Sequence, residues 1–558
     1  MKRNLCKLII LFIPCLFLFT TVCQAKYSEN LLNVTNQKFT DVGLVKTIVD
    51  EDGKTYIAWQ QVEIDGAAEA KVSIYLQLLD KTGEFLWDEN GLFIADVKGL
   101  SSNFNEDLNL SIASDGNLIL SHISLQDSND VKGFTIYKIS PYKQIIWKKT
   151  QNDVFINLSA FGIMQFHVTT SEDNIIICTT TSNQSYIQIL SNEGERKLVQ
   201  DIEIDACVYN PIIVPCIDNS FACVYRLSKT LFVDKYTTTG ELIWKAVYVG
   251  NETADNLNIE NTTYVFSDND GGIIITWEFD GKIYVQRIDS NGNRLFSNDG
   301  INISVGDSDI HHVADVDIKN KIIHISWVSS LLNKKTIVLQ RLDFNGKKLY
   351  NDNGLVLKKL NDFVDNKPIA IVHIPNKRVL VFIKYKEDPK DIFSKMIAIR
   401  ADENETIFWE KQLYSPLSNF YSTAATKFFN DQVVLTWCDE DVYVNTTFNK
   451  TIKAVCISYN GIIGVDESSI VNLASVFSFP NPTNNNLNLI INNENNYQHL
   501  KIKIVDINGI TVYTDDIYIN MGRNVIPLNV NNLLIGSYII SVYSEDNTLL
   551  NKLQIIKE

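Results

Sequence analysis

An eight-residue cassette recurs along this chain, and its spacing restricts the fold more than any other feature. The clearest copy runs Asp289-Ser290-Asn291-Gly292-Asn293-Arg294-Leu295-Phe296: a small polar residue, a glycine three places on, and a bulky apolar residue four beyond that. Further copies begin at Asp80, Thr237 and Asp343, with weaker ones at Ser140, Ser191, Asp402 and Ser458; Lys143 and Glu405 replace the glycine in two of these. Successive starts lie 60, 51, 46, 52, 54, 59 and 56 residues apart. A period near fifty residues belongs to supersecondary units stacked on one another.

Each cassette follows an extended run in which apolar residues alternate, such as Val72 to Leu79, Ile283 to Ile288 and Thr336 to Leu342. Such runs, rich in β-branched and aromatic residues, predict strands. Farther upstream sit turn dipeptides, Asp52-Gly53, Asp115-Gly116 and Asp270-Gly271 among them. A strand often closing on an aromatic follows each, as in Tyr56 to Trp59, Ile273 to Trp277, Ile322 to Trp327 and Val433 to Trp437. A repeat therefore reads strand, turn, strand, variable loop, strand, cassette, strand. Four antiparallel strands in about fifty residues is the layout of a propeller blade. The expected fold is all-β: an eight-bladed β-propeller over residues 41–473, or seven-bladed if one weak copy is not a blade. The cassette glycine supplies the positive φ of a tight turn, and the bulky residue after it is expected to begin the next strand. Unequal loops between second and third strands, long at Gln60 to Lys71 and Asp439 to Lys450, suggest a binding rim.

The N-terminus reads as a targeting segment. Lys2, Arg3 and Lys7 precede an apolar run from Leu8 to Phe19, and Cys23-Gln24-Ala25 offers a cleavage site after Ala25. Residues 1–25 are thus expected to be a signal peptide and 26–40 a polar segment without a period. No other apolar run is long enough to span a membrane, so no transmembrane segment is expected in the mature chain. The 558 residues carry a formal charge of −16; beyond residue 25, 47 basic residues face 66 acidic ones, a net −19. That field repels phosphate backbones and anionic headgroups, so nucleic acid is not an expected partner. Six cysteines follow the signal, none in a C-x-x-C pair. Buried free thiols are the leading reading; if one disulfide forms, Cys438–Cys456 is the expected pair.

From Val476 the pattern changes. Phe479-Pro480-Asn481-Pro482 leads into short strands, among them Ile502 to Ile507 before an Asn-Gly turn, and Leu533 to Val542. About seven strands in some 80 residues predict a small sandwich over 474–558. This tail resembles the type A C-terminal sorting domain of the bacterial type IX secretion system. The resemblance rests on Pro480-Asn481-Pro482, Val505-Asp506 with Gly509 and Val512, Leu533 with Gly536 and Tyr538, and Lys552-Leu553 with Ile555 and Lys557. It departs from the family at Phe479, where tyrosine is usual. The resemblance implies an Ig-like sandwich, recognition by an outer-membrane translocon, and a final location outside the cell or on the outer-membrane surface, reached through the periplasm. The repeats also resemble propeller-like arrays found on such cargo, a likeness that implies fold and no activity.

The seven histidines are scattered, and the one adjacent pair, His311-His312, would point to opposite faces of a strand. His324, on the face opposite Ile323 and Ile325, reads as an ordinary polar strand position. Asp268-Asn269-Asp270-Gly271 hints at a calcium loop but lacks the regular ligand spacing, and reads as a turn. No nucleophile motif, metal cluster or phosphate loop is present, so no catalytic, cofactor-binding or metal-binding residue and no cofactor is assigned. Two functions remain: a secreted or surface propeller that binds an extracellular protein or glycan, or an extracellular propeller enzyme, a hydrolase or lyase acting on glycans.

Overall fold

The computed structural model describes residues 32–558, except 36, 38, 40, 65–69, 98–107, 127–130, 157, 159–162, 183, 205–208, 252–262, 332–333, 361–365, 387–393, 415–417, 430, 442–448, 462, 464–472, 480, 494–497, 507–509, 520–521 and 545–548. Among these residues the chain is almost wholly β, with one short helix, Gln151–Val154. Eight four-stranded antiparallel sheets occupy the repeat region. The first seven span 41–97, 108–150, 163–204, 209–251, 263–302, 308–359 and 367–414, each built from consecutive strands. The first strand of each sheet lies against the first strand of the next, and the eighth sheet returns to the first. The arrangement is consistent with a β-propeller.

The eighth sheet is assembled differently. Three strands come from 418–458, and the fourth is Leu32–Asn33, paired with the last of the three through Leu32↔Ala454. Val34 N–H then donates to the Ile452 carbonyl at 2.8 Å, and the Val34 side chain is fully buried. Leu32–Asn33 thus supplies the fourth strand of the eighth sheet, which the lack of periodicity around it concealed.

Neighbouring sheets share apolar clusters. Leu32, Val34 and Ile452 of the eighth sheet pack with Val45, Ile57 and Trp59 of the first. Ile274 and Val285 of the fifth pack with Ile323, Ile325 and Trp327 of the sixth. Second strands are covered on both faces, which is why Asn174–Thr181 is buried at every position. Trp59, Trp277, Trp327 and Trp437 hold matching places on four second strands and are at most 1% exposed. Truncating such a residue costs about 3–5 kcal/mol.

The cassettes are hairpin turns held from their first residue. Asp289 Oδ1 accepts the Asn291 and Asn293 N–H groups at 2.9 and 2.8 Å. Asp80, Asp343 and Asp402 repeat the pattern, and the Ser140 and Thr237 hydroxyls do so through one bond each. The glycine place has positive φ in all eight, including Lys143 at 65° and Glu405 at 59°. The fully buried Gln286 holds the far side: its Oε1 accepts Phe296 N–H at 3.1 Å and its Nε2 donates to Ser297 O at 2.8 Å. Gln340 does the same for Tyr350 and Asn351.

Four sequence expectations are corrected. Where a second turn follows the cassette, Trp87, Phe296 and Tyr350 sit before the fourth strand rather than opening it, since that strand begins at Leu92, Ile301 and Leu355. Cys438 and Cys456 are not bonded: they lie on adjacent strands four residues out of register, opposite Ile452 and Val434. The long loops narrow because their strands extend to Ile64↔Ala70 and Asp441↔Asn449, leaving residues 65–69 and 442–448 outside the described set. His324 is completely buried, as are Ile323 and Ile325 beside it, because both faces of this strand are covered by neighbouring sheets.

Beyond the ring, seven strands form two sheets, one of three strands and one of four. Leu487, Leu489 and Leu528 of the smaller sheet share a core with Ile502, Ile540 and Ile555 of the larger.

Candidate functional site

The polar groups with chemistry fall on the first two strands of the sheets. In six sheets the first strand breaks register, at Val42/Val45, Ile163/Gln165, Tyr209/Ile212, Ile310/Val313, Pro368/Ala370 and Tyr421/Thr423. Bulges of this kind re-aim side chains and free backbone donors. Along these strands sheets hold one another by polar contacts. Val45 N–H of the first sheet donates to Ser422 Oγ of the eighth at 2.7 Å, closing the ring. Ile213 N–H of the fourth donates to His167 Nδ1 of the third at 3.3 Å.

Two imidazole–carboxylate pairs fall in the fifth to seventh sheets. The bulge at His311, where φ is 56°, turns His312 toward the fifth sheet. His312 Nδ1 lies 2.9 Å from Glu278 Oε1, and its backbone N–H donates to the same oxygen at 2.8 Å. Its Nε2 lies 3.0 Å from Thr276 Oγ1. With a carboxylate on Nδ1, that nitrogen carries the proton and Nε2 accepts from the threonine hydroxyl. A hydroxyl–imidazole–carboxylate chain can activate a nucleophile, but Thr276 is fully buried between Ile275 and Trp277, themselves at most 1% exposed. No substrate carbonyl reaches its oxygen, so the chain of bonds works as a clip between sheets.

The second pair joins the sixth and seventh sheets: His373 Nδ1 lies 2.8 Å from Asp315 Oδ2 and the His373 N–H donates to that oxygen at 2.5 Å. Burial alone would lower the His373 pKa; the hydrogen bond and charge of Asp315, with Asp317 behind it, outweigh that and raise it above 6.5. Burial opposes ionisation of Asp315 too, yet the His373 contacts hold its pKa below 3.8. Elsewhere burial depresses His122 to about 4 and His324 to about 3.

The Asp268 turn is neutralised by protein. Asp268 Oδ1 accepts from Asp270 and Gly272 N–H, while Arg287 bridges Asp268 and Asp270 at 2.9 and 3.0 Å. Among the described residues no group of three or more His, Cys, Asp or Glu is placed to hold a metal.

Of the tail residues singled out by sequence, Asn481 latches onto the last strand: its Nδ2 donates to Gln554 O and its Oδ1 accepts Ile556 N–H, both at 2.9 Å. Pro482 follows through a cis peptide, after which Thr483 bridges Lys557 in parallel. Asp506 Oδ1 accepts Ile510 N–H at 2.8 Å. Tyr538 O–H donates to Leu534 O at 2.8 Å, beside Gly536 at the start of its strand. Lys552 pairs with Ser541 on the backbone, and Lys557 Nζ donates to Glu558 O at 2.8 Å. Ala25, Pro480 and Gly509 lie outside the described residues.

Residues 478–557 match the family model of the secretion system C-terminal sorting domain. The tail is a type IX secretion sorting domain. The sorting domain marks the chain for export to the cell surface or extracellular space, and no helix among the described residues is long and apolar enough to cross a membrane. No curated protein matches the chain. Among solved structures, prolyl oligopeptidase B from Galerina marginata is 12% identical at a TM-score of 0.34, with 65% of this chain and 47% of that chain covered. The chain thus spans about half the length of that protein. Polysaccharide lyase Uly1 is 8% identical at a TM-score of 0.38, over 74% of this chain and 89% of that one. The β-propeller domain of the Trilobed protease from Pyrococcus furiosus is 10% identical at 0.33, over 68% and 97%. At these scores the likenesses carry no argument about activity.

The cassette carries a further apolar position. The seventh cassette residue is apolar yet exposed in six copies: Leu86, Ile146, Ile243, Leu295, Leu349 and Phe408 are 39–49% exposed. Alternation within the cassette marks these positions as outward-facing, a signal separate from its glycine and its last residue.

Proposed function

We propose that this chain is type IX cargo in which the eight sheets are blades of one closed eight-bladed propeller, and that the propeller binds an extracellular protein or a neutral glycan without altering it chemically. In this reading a signal peptide is cut after Ala25, the propeller occupies 41–473 with its closing strand drawn from 26–40, and 474–558 is an Ig-like sandwich read by the outer-membrane translocon. One observation carries the binding reading: the polar side chains of the first two strands are spent on one another across sheet boundaries, with Thr276, His312 and Glu278 as the fullest case. The acidic surface disfavours polyanions as ligands.

The competing reading is an extracellular enzyme acting on glycans as a hydrolase or lyase. The carboxylates Glu278 and Asp315, whose side chains keep 12% and 22% of their surface exposed, are the observation in its favour. The purified mature chain, assayed against a panel of polysaccharides and peptides for both equilibrium binding and turnover, separates the two. Binding without turnover is expected. Turnover that E278Q or D315N abolishes, with the fold intact by circular dichroism, would establish the enzyme.

A further inference from the structure

In the second, fourth and fifth sheets, a basic residue on the third strand answers an aspartate of that sheet's first turn. Lys138 pairs with Asp115 at 2.5 Å, Lys235 with Asp218 at 2.6 Å and Arg287 with Asp268 at 2.9 Å. The sixth sheet breaks the rule. Arg341 takes the matching place, next to Gln340 as Arg287 is next to Gln286, and is 1% exposed. No carboxylate bonds any of its three guanidinium nitrogens, and the neighbouring acceptor is the neutral Tyr350 hydroxyl, which is too poorly aligned to make a full hydrogen bond and itself donates to the Asp402 carbonyl. The aspartate that should answer it, Asp317, gives its two oxygens to Asn320, through the backbone N–H at 3.0 Å and Nδ2 at 2.7 Å. The Tyr350 ring that Arg341 faces, 5.4 Å from Cζ, brings no charge.

Beside Arg341 sits a second unsatisfied group. His324 pairs with Arg341 in strand register, so both side chains leave the same face of the sheet. His324 is fully buried, and neither ring nitrogen has a partner. Asp315 lies one strand farther on, opposite His324, about 9–10 Å from Arg341 by strand spacing, and its carboxylate is engaged by His373. A water molecule would satisfy N–H groups here but not the charge. A buried cation without a counter-charge is strongly destabilising.

We propose that the face of the sixth sheet at Arg341 and His324 is a binding site for a small inorganic anion of the halide class, enclosed between the sixth and seventh sheets. The anion takes the guanidinium N–H groups that Asp317 leaves unanswered and one N–H of His324. It acts as a structural counter-ion and is independent of any extracellular protein or glycan ligand.

Crystals of the full mature chain soaked in sodium bromide test this directly. An anomalous peak within hydrogen-bonding reach of Arg341 is expected; water alone at that position, or bromide only on the surface, overturns the proposal. In solution, the wild-type chain is melted in sodium chloride and in sodium gluconate at equal ionic strength, gluconate being too large to enter. A Tm about 2–4 °C higher in chloride is expected, whereas equal values overturn the site. R341M should melt alike in both salts. If R341M does not fold, the wild-type pair of melts and the bromide map still decide the question.

Discussion

The Trp244 indole N–H donates to the Ser290 carbonyl at 3.0 Å, tying the cassette of the fourth sheet to that of the fifth. Trp87 makes the same bond to Pro141 O at 2.8 Å and Trp147 to Asn192 O at 3.0 Å. The bulky residue of one cassette also covers the glycine of the next: a Cβ on Gly292 would lie 3.1 Å from Trp244, and one on Gly461 2.8 Å from Trp409. The cassette is therefore a link as well as a turn, and its two fixed residues, glycine and bulky apolar, meet across the sheet boundary.

Gly292→Ala tests that link against backbone strain. Gly292 has φ 83°, so alanine costs about 1–2 kcal/mol for the left-handed conformation, plus the contact with Trp244. Gly116 has φ 78° and nothing within 4 Å of a Cβ, so G116A carries the strain alone. Urea unfolding should show G292A losing more than G116A. Equal losses would mean that the Trp244 contact contributes nothing.

The closing strand should be essential to stability. Removing residues up to Thr35 deletes the pairing of Leu32–Asn33 with the eighth sheet and exposes the cluster around Trp59. A large fall in Tm and new protease cuts within 418–458 are expected. An unchanged melting curve would show that the ring holds without this strand.

Two pH effects of opposite sign are expected. His122 and His324 are buried with pKa values of about 4 and about 3, below the roughly 6.5 of an unfolded histidine. Below about pH 6.5 the unfolded chain takes up protons that these folded sites refuse, so stability falls with acid. His373 is the reverse: its raised pKa contributes stability that is full below about 6.5 and is lost as pH rises through the folded value. Its partner Asp315, with a lowered pKa, contributes above about 3.9 and loses this as pH falls through its folded value. Thermal melts from pH 4 to 9 should show H324L flattening the acid limb and H373Q the alkaline one.

Deleting residues 478–557 should leave a folded ring that accumulates in the periplasm, measured by fractionation and blotting. N481A in the full chain should have a milder form of the same defect, since it frees the last strand from two hydrogen bonds. Normal release of the truncated chain would contradict the role of the tail.

The repeat, the strand order within the first seven sheets and the identity of the tail are legible along the chain, because these depend on local signals. An aspartate or hydroxyl three residues before a positive-φ position makes its hairpin from its own side chain, and alternation marks the strands around it. Even Lys143 and Glu405, which lack the glycine, adopt its conformation because the rest of the cassette demands it. Features that depend on distant partners emerge only when the sheets pack together. Leu32 and Asn33 carry no periodic mark, and only ring closure, which needs a fourth strand for the eighth sheet, makes them one. Thr276, Glu278 and His312 are separated by up to 36 residues and become a bonded chain only because a bulge turns His312 across a sheet boundary. Arg341 reads in sequence as one more copy of Arg287; its isolation comes from Asp317 bonding Asn320, a choice made by the geometry of one turn.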